Sequence, residues 1–196
     1  RQPLLSPLYK GQGKDPADWK NYRLISVVKT PTKVDVGVCL RRAMAAARVD
    51  EAQSVAQPGV DARHQLHLVL DIIAAYRAEG RPLFFAIIDL VRGFPSAARE
   101  DMYLAMWDRG VGPHIIEALA AFDRDAAVAI KAAPPNFYTK PITGIGCGTL
   151  EGSVASPAKF TFQTSSIPPL LRKLSGMEIG GRRVGGLLHM DDTGVP

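Results

Sequence analysis

An α+β domain with mostly antiparallel strands is the expectation for this chain of 196 residues. Three features point to it. Apolar residues recur at helical spacing between 62 and 79, at Leu66, Val69, Leu70, Ile73 and Tyr76. A continuous apolar run, PLFFAIIDL at 82–90, has the β-branched and aromatic content of a strand buried on both faces. Two further segment pairs, AAVAIKA with NFYTKPIT and MEI with RRVGGLLH, read as strands joined by turn-forming residues. No internal repeat or linker interrupts the chain, and its length suffices for one domain with its own core.

The elements follow in order. Residues 9–22, YKGQGKDPADWKNY, are rich in Gly, Pro, Asp and Lys and predict a basic loop after a short strand. Ala-rich periodicity predicts a helix over 34–48, with Arg41 and Arg42 on its solvated face. QPGVD at 57–61 is a turn, and the 62–79 stripe is the next helix. His64 and His67 lie one turn apart on it, but no carboxylate-rich neighbour completes a zinc site, so a solvated face is the simpler reading. The 82–90 strand delivers Asp89 at its end. Helices follow near 97–108 and 113–123, with Gly110 and Gly112 between them. A Gly-rich loop, GIGCGTLEGSVASP at 144–157, leads to a helix with Ser156 as its N-cap and Pro157 at the first position. Pro168 and Pro169 are expected to break or kink that helix. A hairpin around GGRR precedes the paired aspartates Asp191 and Asp192.

Composition excludes some classes. The apolar fraction is 46% and the charged fraction 22%, ordinary for a globular protein. No apolar run approaches the ~18 residues of a membrane span, and the opening residues lack the apolar stretch of a signal peptide. Cys39 and Cys147 have no metal-binding spacing and read as reduced thiols of an intracellular protein. The net charge of +5 is compatible with a polyanionic partner such as nucleic acid, although mild basicity is more often found without one.

Asp89, Asp191 and Asp192 all sit at the ends of apolar strands. Singly, each is more often a cap or turn residue. Together they need a reason not to repel, and divalent cations supply one, because Mg²⁺ takes carboxylate oxygens along with waters and substrate phosphates. Two such ions about 3.5–4 Å apart can serve a nucleotidyl transfer.

The chain resembles the fingers and palm of a reverse transcriptase, most closely the non-LTR retrotransposon type. PLYKGQGKDPADWKNYRLIS is similar to the family's opening block, in which a basic loop precedes an N-Y-R-P-I-S stretch. FFAIIDLVRGFPS resembles the strand that carries the first metal-binding aspartate. LEGSVASPAKF resembles the Q-G-x-x-x-S-P loop and helix, and HMDD the x-x-D-D hairpin. The blocks keep the family's order over nearly the whole chain.

The resemblance implies a polymerase-like palm at about 81–196 with partial fingers at about 1–80, and an RNA-directed DNA polymerase acting on an RNA template, a DNA primer and dNTPs. Asp89 and Asp191 would hold Mg²⁺ or Mn²⁺, with Asp192 a weaker third ligand. Phe94 falls where the family keeps an aromatic ring beneath the incoming sugar. Glu151, Gly152, Ser156 and Pro157 match the template and nucleotide loop, and Arg23, Lys33 and Arg63 match basic fingers positions.

Several positions depart from the pattern. Glu151 replaces the usual Gln, Pro95 an Asp, Leu24 a Pro and His189 an aromatic residue. In QPGVDARHQL only Gly59 and Arg63 keep the family's fingers signature. The chain stops just beyond the D-D pair, so the sequence is expected to be a fragment without a thumb. A catalytically dead remnant with nonspecific nucleic-acid affinity therefore stands beside the polymerase reading. A third reading, an unrelated metal-dependent hydrolase, does not account for the LEGSVASP loop.

Overall fold

The computed structural model describes residues 3–11, 13–55, 57, 59–124, 127–132, 137–174, 176–179, 181–189 and 192–195. Strand β1 (Leu4–Tyr9) pairs antiparallel with β2 (Tyr22–Val27), in register from Leu4 opposite Val27 to Tyr9 opposite Tyr22. The expected basic loop joins them. It is tied by its own acidic residues: Asp15 accepts from the Ala17 amide at 2.9 Å, and Asp18 caps a 3₁₀ turn at Trp19–Asn21 through the Lys20 amide at 3.0 Å. Strands β4 (Ala129–Ala132) and β5 (Phe137–Tyr138) complete a sheet of order β2-β1-β4-β5, with the β1–β4 pair parallel. That parallel pairing covers Leu4 and Leu5 only. Pro7 lies beyond it, where its missing N–H deprives no second neighbour of a bond.

The helices among the described residues are α1 (Thr30–Ala46), α2 (Ala62–Ala78), α3 (Gly93–Ser96), α4 (Arg99–Asp108), α5 (Pro113–Arg124), α6 (Ser156–Thr164) and α7 (Ile167–Leu174). The main core gathers Val36, Leu40 and Ala43 of α1, Met106 of α4, Leu119 of α5 and Phe162 of α6. Burial of a side chain such as Phe162 stabilises the fold by roughly 1.5–3 kcal/mol. Asp61 caps α2, and His64 returns the bond by accepting from the Asp61 amide at 3.1 Å. The solvated His64 therefore has a local capping role.

A second sheet runs β3-β9-β8, from β3 (Ala86–Asp89), β8 (Leu187–His189) and β9 (Asp192–Val195), all antiparallel. The GGRR hairpin is present as β6 (Met177–Ile179) paired with β7 (Arg182–Val184).

Three expectations require correction. The 82–90 run does not form a doubly buried strand. Among the described residues β3 is an edge strand paired with β9 alone, and all four of its residues are exposed. Phe84 is 82% and Ile87 77% exposed; Phe85 turns back onto β9, where a Cβ on Gly194 would meet its ring at 2.8 Å. Leu66 and Leu70 of the α2 stripe are likewise exposed, while Ile72 is fully buried. Apolar content favours burial but does not specify the covering surface. Second, Ser156 does not cap α6; its hydroxyl donates instead to the Leu150 carbonyl at 2.7 Å, tying the preceding loop. Third, the prolines do not end α6, which stops at Thr164; Pro168 and Pro169 lie in the first turn of α7, where a missing N–H is tolerated.

Both cysteines are free thiols. Among the described residues, no helix is long and apolar enough to cross a membrane.

Candidate functional site

The β3-β9-β8 sheet sets the centre of the site. Asp89 ends β3 and lies directly opposite Asp192 of β9, which lies directly opposite His189 of β8. Opposed residues of an antiparallel ladder share a face, with Cβ atoms about 4.5–5.5 Å apart. One register line thus carries Asp89, Asp192 and His189 across the sheet, and all three are exposed. Asp191 lies outside the described residues. His189 is tethered by Ser54, whose Oγ lies 2.9 Å from Nδ1. Among the described residues, no three His, Cys, Asp or Glu converge as a ready metal-binding group. Asp89 and Asp192 nevertheless fit a divalent cation in donor chemistry: two exposed, hard-oxygen carboxylates on one face that repel each other until a cation intervenes.

Next to Asp89 the chain turns sharply. Arg92 adopts a left-handed backbone with φ of 54°, and its guanidinium lies over the Trp19 ring at 5.2 Å. The basic loop is thereby anchored beside the carboxylates. Trp19 and Arg92 lie in two separate motif blocks, and only the folded contact exposes their pairing.

Phe94, in α3, stacks on Phe160 of α6 with ring centroids 4.8 Å apart. Its carbonyl accepts from the Thr149 amide at 2.9 Å, and the Gly148 amide donates to the Ala97 carbonyl at 2.7 Å. Gly148 has φ of +79°, and a Cβ there would lie 2.4 Å from the Pro95 carbonyl oxygen, so glycine is required for this approach. Buried Arg99 secures the same loop, donating to the carbonyls of Gly148 (2.9 Å), Ile145 (2.7 Å) and Asp123 (3.1 Å).

The other side of the loop rests on β2. The Glu151 carbonyl accepts from the Ser26 amide at 2.5 Å, and Gly152, with φ of +89°, approaches the Ser26 carbonyl oxygen to 2.8 Å from its ideal Cβ position. Ser156 and Pro157 open α6 behind it. The Ser26 and Thr149 hydroxyls flanking the loop are buried without a hydrogen-bond partner among the described residues.

Of the three basic residues expected at fingers positions, Arg23 on β2 and Lys33 on α1 are exposed. The third, Arg63, is engaged with Asp61: Nη2 lies 2.6 Å and Nε 2.9 Å from Oδ2. That hydrogen bond is the main reason the Asp61 carboxyl is pulled down to about 2. Sequence reading also missed Lys159, Asp123 and Tyr103. Lys159 is buried in α6, 2.5 Å from Asp123 Oδ2, and the Tyr103 hydroxyl donates to the same carboxylate. A lysine shortly after the S-P pair was the one available signal, and only packing reveals its burial.

No family model and no curated protein matches the chain. Among solved structures, its backbone is similar to apo telomerase from Candida tropicalis truncated from the C-terminal domain, with a TM-score of 0.53 at 9% identity. The match covers 89% of this chain and 41% of that one, so the present chain spans about two fifths of the telomerase chain.

Proposed function

We propose that this chain is part of an RNA-directed DNA polymerase, with a palm-like unit at about 81–196 and fingers-like elements at about 1–80. The observation that carries the reading is the registered Asp89–Asp192 pair on the strand that leads into Phe94, whose carbonyl holds the 148–157 loop, within a fold similar to a telomerase structure. An RNA template, a DNA primer and a dNTP are the proposed substrates.

Asp89 and Asp192, with Asp191, would hold Mg²⁺ or Mn²⁺, which supplies charge neutralisation and activation of the primer hydroxyl when bound. The remaining work belongs to the chain. Phe94, braced by Phe160, presents a flat apolar surface on which a deoxyribose can rest and against which a 2′-hydroxyl is disfavoured. Gly152 lets the loop backbone approach a template nucleotide. Arg23 and Lys33 contribute positive charge toward phosphates. Glu151 opposes this: like charges ~4 Å apart repel by about 4 kcal/mol at an effective dielectric near 20.

The test is primer extension on a primed RNA template with dNTPs and Mg²⁺ or Mn²⁺, by this chain and by the chain joined to a relative's downstream region. Extension that disappears in Asp89→Asn supports the reading, and Glu151→Gln is expected to increase it. Extension unaffected by Asp89→Asn, or absent from every arm, overturns the polymerase activity. The position of Glu151 favours one second reading: a polymerase-derived chain that binds nucleic acid nonspecifically without synthesis. Salt-sensitive RNA binding without extension in any arm would establish it.

A further inference from the structure

Helices α1 and α5 and the 150–155 segment enclose a cavity of about 340 Å³, lined by neither Asp89 nor Asp192. This falls at the small end of the ~300–1,000 Å³ range of ligand sites. Val28, Val36, Phe122, Leu150 and Ala155 give it an apolar lining. Its charged groups are Lys29, Lys33, Lys159 and Asp123. Lys159 and Asp123 neutralise each other across 2.5 Å. Lys29 and Lys33 form no ion pair among the described residues, and both are exposed. Their charge therefore remains available at the mouth. The first turn of α1 adds to it: no side chain caps this helix, and Thr32 lines the cavity between the two lysines.

We propose that this cavity binds a small amphipathic anion, a carboxylate or phosphate monoester on an apolar body. The body would occupy the Val36–Phe122–Leu150 interior, and the anionic head would meet Lys29, Lys33 and the α1 amides. A cation is disfavoured by the excess positive charge, and a wholly polar anion leaves the apolar lining unused. The inference does not rest on polymerase activity. Because Leu150, Ser153 and Ala155 line the cavity, an occupant would also touch the segment carrying Glu151 and Gly152.

Octanoate, octyl phosphate, octylamine and inorganic phosphate, titrated into the full chain and followed by calorimetry and amide NMR, test the proposal. Octanoate and octyl phosphate should each bind at least tenfold more tightly than octylamine or inorganic phosphate, and should shift the amides of Thr32 and Val154. A stronger octyl phosphate response would identify a phosphate head as the preferred chemistry, and a stronger octanoate response a carboxylate. Lys29→Gln should weaken both by about fivefold. Val154→Trp, at a half-exposed position on the lip, should block both without lowering the melting temperature of the free chain. Equal binding of octylamine, no binding by either anion, or unchanged affinity in both variants overturns it. So does single-stranded RNA that shifts these amides when octanoate does not, which would make the cavity part of a nucleic-acid track.

Discussion

Asp89 and Asp192 are Cα partners in the antiparallel β3–β9 ladder. Like charges placed directly opposite each other destabilise a sheet by about 0.2–1 kcal/mol, least at high ionic strength. A site that retains this arrangement gains from a cation. In EDTA at low salt, Asp192→Asn should raise unfolding stability by up to ~1 kcal/mol. Mg²⁺ or Mn²⁺ should stabilise the unsubstituted chain and have no such effect on Asp192→Asn. Urea titrations with and without metal check this; identical metal responses in the two proteins would show that the pair holds no ion.

The Gly-rich loop at 144–157 depends on its glycines. Gly152→Ala combines a left-handed backbone, costing about 1–2 kcal/mol, with a Cβ 2.8 Å from the Ser26 carbonyl oxygen. Gly144→Ala, at φ of +73° but with open space around it, carries only the backbone cost. Chemical denaturation should find Gly152→Ala clearly the more destabilised of the two.

Removing one partner of the buried Lys159–Asp123 pair is expected to be asymmetric. Asp123→Asn leaves a buried ammonium without its counter-charge and should cost about 3–5 kcal/mol, whereas Lys159→Met should cost less, because Asp123 is 20% exposed to solvent and keeps the Tyr103 hydrogen bond. The pH response follows from two shifts. Burial lowers the Lys159 pKa below 10.5, despite the opposing charge of Asp123. The unfolded chain therefore holds this proton to higher pH than the folded one, and stability rises with pH between the folded value and about 10.5. Burial, together with the Asp123 charge, raises Tyr103 above 10, so the unfolded chain releases that proton first and stability falls above about pH 10. Melts from about pH 8 to 11 should lose the rise in Lys159→Met and the fall in Tyr103→Phe.

Acid sensitivity should arise in part from Asp50. Burial tends to raise its carboxyl, but hydrogen bonds from Arg172 and the Ala52 amide, with the charges of Arg172 and Arg109, bring it below 3.8. A depressed carboxylate stabilises above its unfolded pKa and loses that contribution as pH falls through the folded value. Asp50→Asn should be less stable at neutral pH and should lose less on acidification below about pH 4.

RNA affinity should fall steeply with salt. If Arg23 and Lys33 each contact a phosphate, Arg23→Gln and Lys33→Gln should each reduce the log–log salt slope by about 0.7 for single-stranded RNA. A slope unchanged in both variants would place the binding surface elsewhere.

Local patterns were sufficient for much of the chain. Helical spacing identified α1 and α2, helices were also expected at α4 and α5, and turn residues identified the β6–β7 hairpin and the β4–β5 pair, because these elements are selected by contacts between near neighbours. The strand-end aspartates and the Gly-rich loop of the candidate site were likewise visible as local patterns. Pairing and burial depend on distant segments. The Asp89–Asp192 register, the exposure of Ile87 on an edge strand, the Ser156 bond to Leu150, and the burial of Lys159 against Asp123 were decided by tertiary structure. An apolar run reports a free-energy gain on burial without naming the surface that covers it, and a lysine reports a charge without naming its counter-ion. Those partners are chosen only when strands and helices far apart in the chain are brought together.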